Sequence, residues 1–201
     1  MRIGVFGGTF DPVHMGHLIL AEMAREQAAL DEVWFVPSAR PPHKSARIIS
    51  PFERRLDMLQ LAISSQPLFR VDECEKDRPG PSFTADTLHN FSVLYPDHEW
   101  FLLVGADCLP DLAKWHDPAR ILALATLVVA RRPGWPVWGE DRLAAEVGIK
   151  EHQQIAILPI DSPDIGISSS AIRDRVRNQK SILFMVPHAV DVYIRDKRLY
   201  Q

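Results

Sequence analysis

Two histidines three residues apart, His14 and His17, close a glycine-rich stretch near the start of the chain, Gly7-Gly8-Thr9-Phe10-Asp11-Pro12-Val13-His14-Met15-Gly16-His17. The apolar run over residues 2–6 reads as a buried strand, and residues 18–30 carry apolar side chains at a helical period. A strand, a glycine turn and a helix start together aim backbone N–H groups and the positive end of a helix dipole at an anion, most often a phosphate. Gly7 and Gly8 have no Cβ, so a ligand can approach the main chain closely and positive φ costs little. Spaced three apart at a helix start, both histidines can face one ligand. The order of residues matches neither the G-x-x-x-x-G-K-[ST] of a P-loop nor the G-x-G-x-x-G of a dinucleotide fingerprint, and the histidine pair sets it apart. Zinc is an alternative use for such a pair, but zinc takes three or four protein ligands. The two cysteines, Cys74 and Cys108, stand far away in sequence. Plain helix capping leaves the crowding of Gly7, Gly8 and Gly16 unexplained.

A second constellation lies near the other end, Ile167-Ser168-Ser169-Ser170-Ala171-Ile172-Arg173. Three serines at a helix start are good caps. An arginine in the first turns opposes the helix dipole, which makes sense where it faces a bound anion. Hydroxyls, free N–H groups and a guanidinium fork make a triphosphate clamp.

The chain must bring these two ends together. Its 201 residues suffice for one full core and one domain spanning 1–201. With 46% hydrophobic and 24% charged residues the composition is that of a globular protein. A net charge of -3 argues against general binding of nucleic acid. A polyanion must therefore meet local clusters such as Arg40, Lys44 and Arg47, Arg131 and Arg132, or Arg173, Arg175 and Arg177. Isolated cysteines suit a reducing cytoplasm. No signal peptide is legible, and the longest apolar run, residues 121–130, is too short to cross a bilayer. A cytoplasmic protein without a membrane partner is expected.

Further strands are expected at 33–36, Phe69–Val71, 100–104, 127–130 and 155–158. Residues 37–49 read as a polar loop. Ser50-Pro51-Phe52-Glu53 reads as a capping box with proline at the first helical position, opening a helix marked by Leu56, Leu59 and Ile63. Thr84–Leu94 reads as another helix. Asp117-Pro118 caps one that runs to Leu124, and two more begin near residues 168–170 and at Pro187. Strands that alternate with helices imply an α/β fold with a doubly wound parallel sheet. Ligands bind such sheets beyond the carboxyl ends of the strands. Four polar motifs follow strand ends (residues 7–17, 41–44, 105–107 and 131–134), so one shared cleft is expected.

The two end motifs resemble those of the nucleotidyltransferase superfamily with His-x-Gly-His active sites. Within it the chain closely resembles bacterial nicotinate-nucleotide adenylyltransferases over essentially its whole length. Pro41-Pro42-His43-Lys44, Gly80-Pro81-Ser82-Phe83-Thr84-x-Asp86-Thr87, Gly105-Ala106-Asp107 with Trp115, and Arg132-Pro133-Gly134 fall in that family's order. Phe83 stands where a tyrosine is common, and Ser170 where a threonine is frequent. The resemblance implies a Rossmann-like nucleotidyltransferase fold with C-terminal helices. It also implies AMP transfer from ATP to nicotinate mononucleotide, releasing pyrophosphate, with Mg2+ carried by the ATP phosphates. Residues 7–10 (Gly7, Gly8, Thr9, Phe10), His14, His17, Gly105, Asp107, Ser168, Ser169 and Arg173 would meet ATP, with Gly105 and Asp107 near its sugar. Lys44, Thr84, Trp115 and Arg132 would meet the mononucleotide, Trp115 by stacking on the pyridine ring. His14, His17, Lys44 and Arg173 would carry the chemistry. The rival readings are a transferase acting on phosphopantetheine or a polyol phosphate, which needs no such tryptophan, and a nucleotide sensor, which needs no transition-state donors.

Overall fold

The computed structural model describes residues 1–41, 49–149 and 155–201. Six strands form one sheet, β1 (Arg2–Gly8), β2 (Glu32–Pro37), β3 (Phe69–Val71), β4 (Glu99–Gly105), β5 (Thr126–Ala130) and β6 (Ile157–Ile160). Their order is β3-β2-β1-β4-β5-β6, and every pairing is parallel. The helices are α1 (Met15–Gln27), α2 (Phe52–Ile63), α3 (Thr84–Leu94), α4 (Leu109–Leu112), α5 (Pro118–Leu124), α6 (Glu140–Val147), α7 (Ser169–Arg177) and α8 (His188–Asp196).

Side chains alternate across the pleat, so each strand feeds two cores. Phe6, Phe35, Leu103 and Val128 pack with α1, α2, α7 and α8 on one face. Val5, Trp34, Leu102 and Val129 pack with α3, α4, α5 and α6 on the other. The chain steps outward from β1 to β3 with helices on the first face, then from β4 to β6 with helices on the second. A single hand of crossover requires that change of face. Strand order reverses between β1 and β4, which sets Gly8 and Gly105 at neighbouring strand ends.

The doubly wound parallel sheet is as expected, but several boundaries differ. Helix α1 starts at Met15 rather than at residue 18, with His14 as its N-cap, so His17 lies in its first turn. The last strand is displaced by two residues to Ile157–Ile160, because its pairing with β5 aligns Leu127 with Ile157. Pro159 is tolerated there because β6 is an edge strand. The capping box at Ser50 does not form. Pro51 is the N-cap, with no side-chain cap. The Ser50 N–H instead donates to Asp11 Oδ2 at 3.2 Å, and its carbonyl accepts from Arg55 Nε at 3.0 Å. Tertiary partners outcompete the local motif. Helix α6 was not legible, since Leu143 is its one buried residue. Gly148, at φ 75°, closes it in the left-handed conformation.

Candidate active site

Beyond the carboxyl ends of β1, β4 and β5 lies a cleft of about 1230 Å³. Gly7 and Gly8 line it. A Cβ on Gly7 would meet nothing within 4 Å, so the cleft opens directly onto the main chain. Neither glycine takes positive φ. The left-handed residue of this loop is Phe10, at φ 49°. Thr9 lines the cleft but Phe10 does not. The Phe10 ring is buried, 5.1 Å from the His17 ring and 5.6 Å from that of Phe6. The ring packs against that of His17.

His14 and His17 both line the cleft, their rings stacked at 3.7 Å between centroids. His17 Nδ1 accepts a 3.2 Å hydrogen bond from the His14 backbone N–H. A neutral ring whose Nδ1 accepts carries its proton on Nε2, which leaves Nε2–H as the donor. His14 is 7% exposed. Burial, and then the charge of Arg132, push it down to about 4, so it is neutral at pH 7. Its Nδ1 has no hydrogen-bond partner among the described residues.

Gly105 ends β4, Asp107 follows it, and Arg132 follows β5; all three line the cleft. Arg132 Nη1 lies 3.2 Å from Asp107 Oδ2. A Cβ on Gly105 would sit 2.3 Å from Asp107 Oδ1, so the bare glycine lets that carboxylate fold over the strand end. Across the cleft, Ser168 caps α7 by accepting from the Ala171 N–H at 3.2 Å. The Ser169 hydroxyl donates to the Pro12 carbonyl at 2.9 Å, and Arg173 Nη1 donates to the Asp11 carbonyl at 2.7 Å. The two end motifs thus grip one another.

Thr84 opens α3 against the same cleft, and Trp115 lines it while packing on the second core. Asp86 is turned away, into a shallow pocket with Cys74 and His89. Lys44 lies outside the described residues. The cleft residues that were missed include His116 and Glu75. His116 stacks on Phe83 at 4.2 Å, a contact no spacing could signal. Glu75 is buried in the cleft wall and accepts from the Thr87 hydroxyl at 2.7 Å. Cys108 also lines the cleft, but burial pushes its thiol up, which disfavours the thiolate a nucleophile needs.

Residues 5–175 match the model of the cytidylyltransferase-like family. The chain is 43% identical over 201 residues, covering 100% of each, to a Thermus thermophilus protein named "Probable nicotinate-nucleotide adenylyltransferase". A protein of the same name from Dehalococcoides mccartyi is 40% identical over 202 residues, covering 100% of this chain and 97% of that one. Among solved structures, Plasmodium falciparum nicotinic acid mononucleotide adenylyltransferase complexed with NaAD superposes at a TM-score of 0.77. That match covers 99% of this chain and 97% of the other at 18% identity, and so speaks to fold.

Proposed function

The chain belongs to the cytidylyltransferase-like family and, within it, to the nicotinate-nucleotide adenylyltransferases, and on that premise we propose how its residues divide the work. The reaction moves AMP from ATP to the 5′-phosphate of nicotinate mononucleotide. It yields nicotinate adenine dinucleotide and pyrophosphate, a step of NAD biosynthesis.

The nucleophile is a phosphate monoester, largely ionised at pH 7, so no strong base is needed. One of its oxygens attacks the α-phosphorus in line, and the bond to pyrophosphate breaks as the new P–O bond forms, with no covalent intermediate on the protein. Catalysis then rests on positioning and on neutralising the developing charge. His17 and His14 donate to α- and β-phosphate oxygens, acting as neutral N–H donors. Ser168, Ser169 and Arg173 hold the leaving pyrophosphate, the α7 N–H groups assisting. Gly7, Gly8 and Thr9 give the phosphates a backbone floor, and Phe10 acts there through His17. Gly105 and Asp107 flank the ATP sugar. Thr84, Trp115 and Arg132 take the mononucleotide, and Lys44 steadies its phosphate.

Among the described residues there is no cluster of three His, Cys, Asp or Glu side chains able to hold a metal ion. These donors fit Mg2+ as a companion of the ATP phosphates, where it neutralises charge. No described helix is long and apolar enough to cross a membrane. The free thiols of Cys74 and Cys108 suit the reducing cytoplasm in which we place the reaction.

The observation that carries this reading is the stacked His14–His17 pair at the mouth of α1, opening on the same cleft as the capped start of α7. Pyrophosphate release on mixing ATP with a panel of phosphomonoesters tests it. Release with nicotinate mononucleotide is expected. Preference for phosphopantetheine or a polyol phosphate would reassign the substrate, and no release with any would leave a nucleotide sensor.

A further inference from the structure

The loop joining β1 to α1 has no ladder of its own, yet its carbonyls are taken one after another by side chains from distant elements. The Thr9 carbonyl accepts from Arg55 Nη1 at 2.8 Å, that of Asp11 from Arg173 Nη1 at 2.7 Å, and that of Pro12 from the Ser169 hydroxyl at 2.9 Å. The Asp11 side chain, 4% exposed, is the hub. Its Oδ2 accepts from the Ser50 N–H at 3.2 Å and its Oδ1 from the Tyr200 hydroxyl at 2.7 Å. Arg55, 1% exposed on the inner side of α2, also donates Nε to the Ser50 carbonyl at 3.0 Å.

Two residues of this network hold backbone conformations that L side chains rarely adopt, Phe10 at φ 49° and Tyr200 at φ 65°. Such conformations persist where the surroundings over-determine them. Tyr200 lies 189 residues from Asp11 in sequence. Neither Arg55 nor Tyr200 lines the cleft; they bond Thr9 and Asp11, in the loop that leads into the histidine donors.

We propose that Tyr200 and Arg55 are positioning residues for adenylyl transfer, fixing through Asp11 and Thr9 the loop that sets His14 and His17 against the phosphates. This rests on the reading of those histidines as phosphate donors. Losing a second-layer hydrogen bond leaves the cleft intact but lets the donors drift from the transition-state geometry, a displacement that costs rate more than binding. A tyrosine outside the network provides the control. Tyr193 also donates its hydroxyl to a carboxylate, that of Asp57, and accepts from Arg54, so its hydroxyl bonds lie on α2 rather than on the loop.

The experiment measures kcat and both KM values for wild type, Tyr200→Phe, Arg55→Lys, Tyr193→Phe and His17→Ala, each with its Tm, well below the lowest Tm. Expected for Tyr200→Phe is a fall in kcat of roughly 10- to 100-fold with both KM values within about threefold. Tyr193→Phe should keep wild-type kcat whatever its Tm. In an Asp11→Asn background, adding Tyr200→Phe should cost little more, because both act through one contact. Tyr200→Phe within twofold of wild-type kcat, or a loss that Tyr193→Phe reproduces, overturns the proposal. Should Tyr200→Phe fail to fold, Arg55→Lys reads the same split of kcat from KM, and an unchanged kcat there overturns the proposal equally. If His17→Ala keeps full turnover, the donor reading itself fails, whereas a dead His17→Ala beside an active Tyr200→Phe sinks the positioning role alone.

Discussion

Asp107 and Arg132 hold each other across the ends of β4 and β5, Oδ2 to Nη1 at 3.2 Å. The family resemblance implies that one meets ATP and the other the second substrate. On that proposed assignment, their pairing would make this strand junction a shared wall between the two. As a partly exposed ion pair it adds little stability, on the order of 1 kcal/mol or less, so its effect lies in orientation.

Gly105→Ala tests that wall. Its Cβ would sit 2.3 Å from Asp107 Oδ1 and 3.1 Å from Arg132 Nε, driving the carboxylate off the strand end. The expected loss is about tenfold in kcat/KM, shared with Asp107→Ala, so the double variant should fall little further than either alone. Steady-state kinetics on the three proteins checks this. Independent, multiplying losses would mean that the glycine acts on something other than Asp107.

His17→Ala is expected to cut kcat by roughly 10²–10³, as loss of one transition-state donor does. ATP should still bind, measurable by calorimetry, because the backbone floor and α7 remain. Near wild-type turnover would remove the histidine pair from the chemistry.

Much of this site was legible because its residues follow strand ends. Gly7 and Gly105 lie at strand ends, Arg132 just beyond one, and His14 and Ser168 at the helix starts that follow the loops after β1 and β6, and a parallel sheet gathers such points at one edge. What escaped is what local pattern does not encode. Helix α6 offers one buried residue to a period, and the displaced β6 takes its register from β5. Phe10 reads as part of a binding loop, yet its ring is core. Arg55 did leave a trace, since it shares the inner face of α2 with Leu59 and Ile63. A charge on an apolar stripe signals a buried partner, but only the folded chain identifies it as Thr9. Tyr200 left none.

The depressed His14 gives a stability signature with a definite sign. Unfolded, it takes a proton below about 6.5; folded, only below about 4. Between those values the unfolded chain binds more protons, so stability from this residue is full above pH 6.5 and is lost as pH falls toward 4. The total is about 3 kcal/mol. In His14→Gln this part of the acid destabilisation should vanish, read as the difference between the two proteins' denaturant midpoints at pH 7.5 and pH 4.5. Because Arg132 is the second cause of the shift, Arg132→Gln should raise the His14 midpoint in an NMR titration. Parallel stability curves for wild type and His14→Gln would show that the ring is not held neutral.

The start of α3 should decide between an acid and an amide on the pyridine ring. Its N-cap, Phe83, supplies no side-chain acceptor, so the first-turn N–H groups remain available beside Thr84 in the cleft wall. They and the helix dipole favour a carboxylate. A carboxamide has one acceptor instead of two and sets an NH₂ against those donors, a mismatch costing ~1–3 kcal/mol. Asp86, in the same first turn, lines a separate pocket with Cys74 and His89. An acidic side chain of the cleft wall that does bond this helix is Glu75, tied to Thr87 in the first turns of α3. It opposes a carboxylate and favours an NH₂, which tempers the selectivity the helix alone would give. The expected kcat/KM for nicotinate mononucleotide exceeds that for nicotinamide mononucleotide by at least roughly tenfold, the low end of that penalty. Glu75→Gln should widen the ratio by weakening the amide arm. Equal values for the two substrates in wild type would show that this helix start does not read the carboxylate, and a narrowed ratio in Glu75→Gln would show that Glu75 serves the acid rather than opposing it.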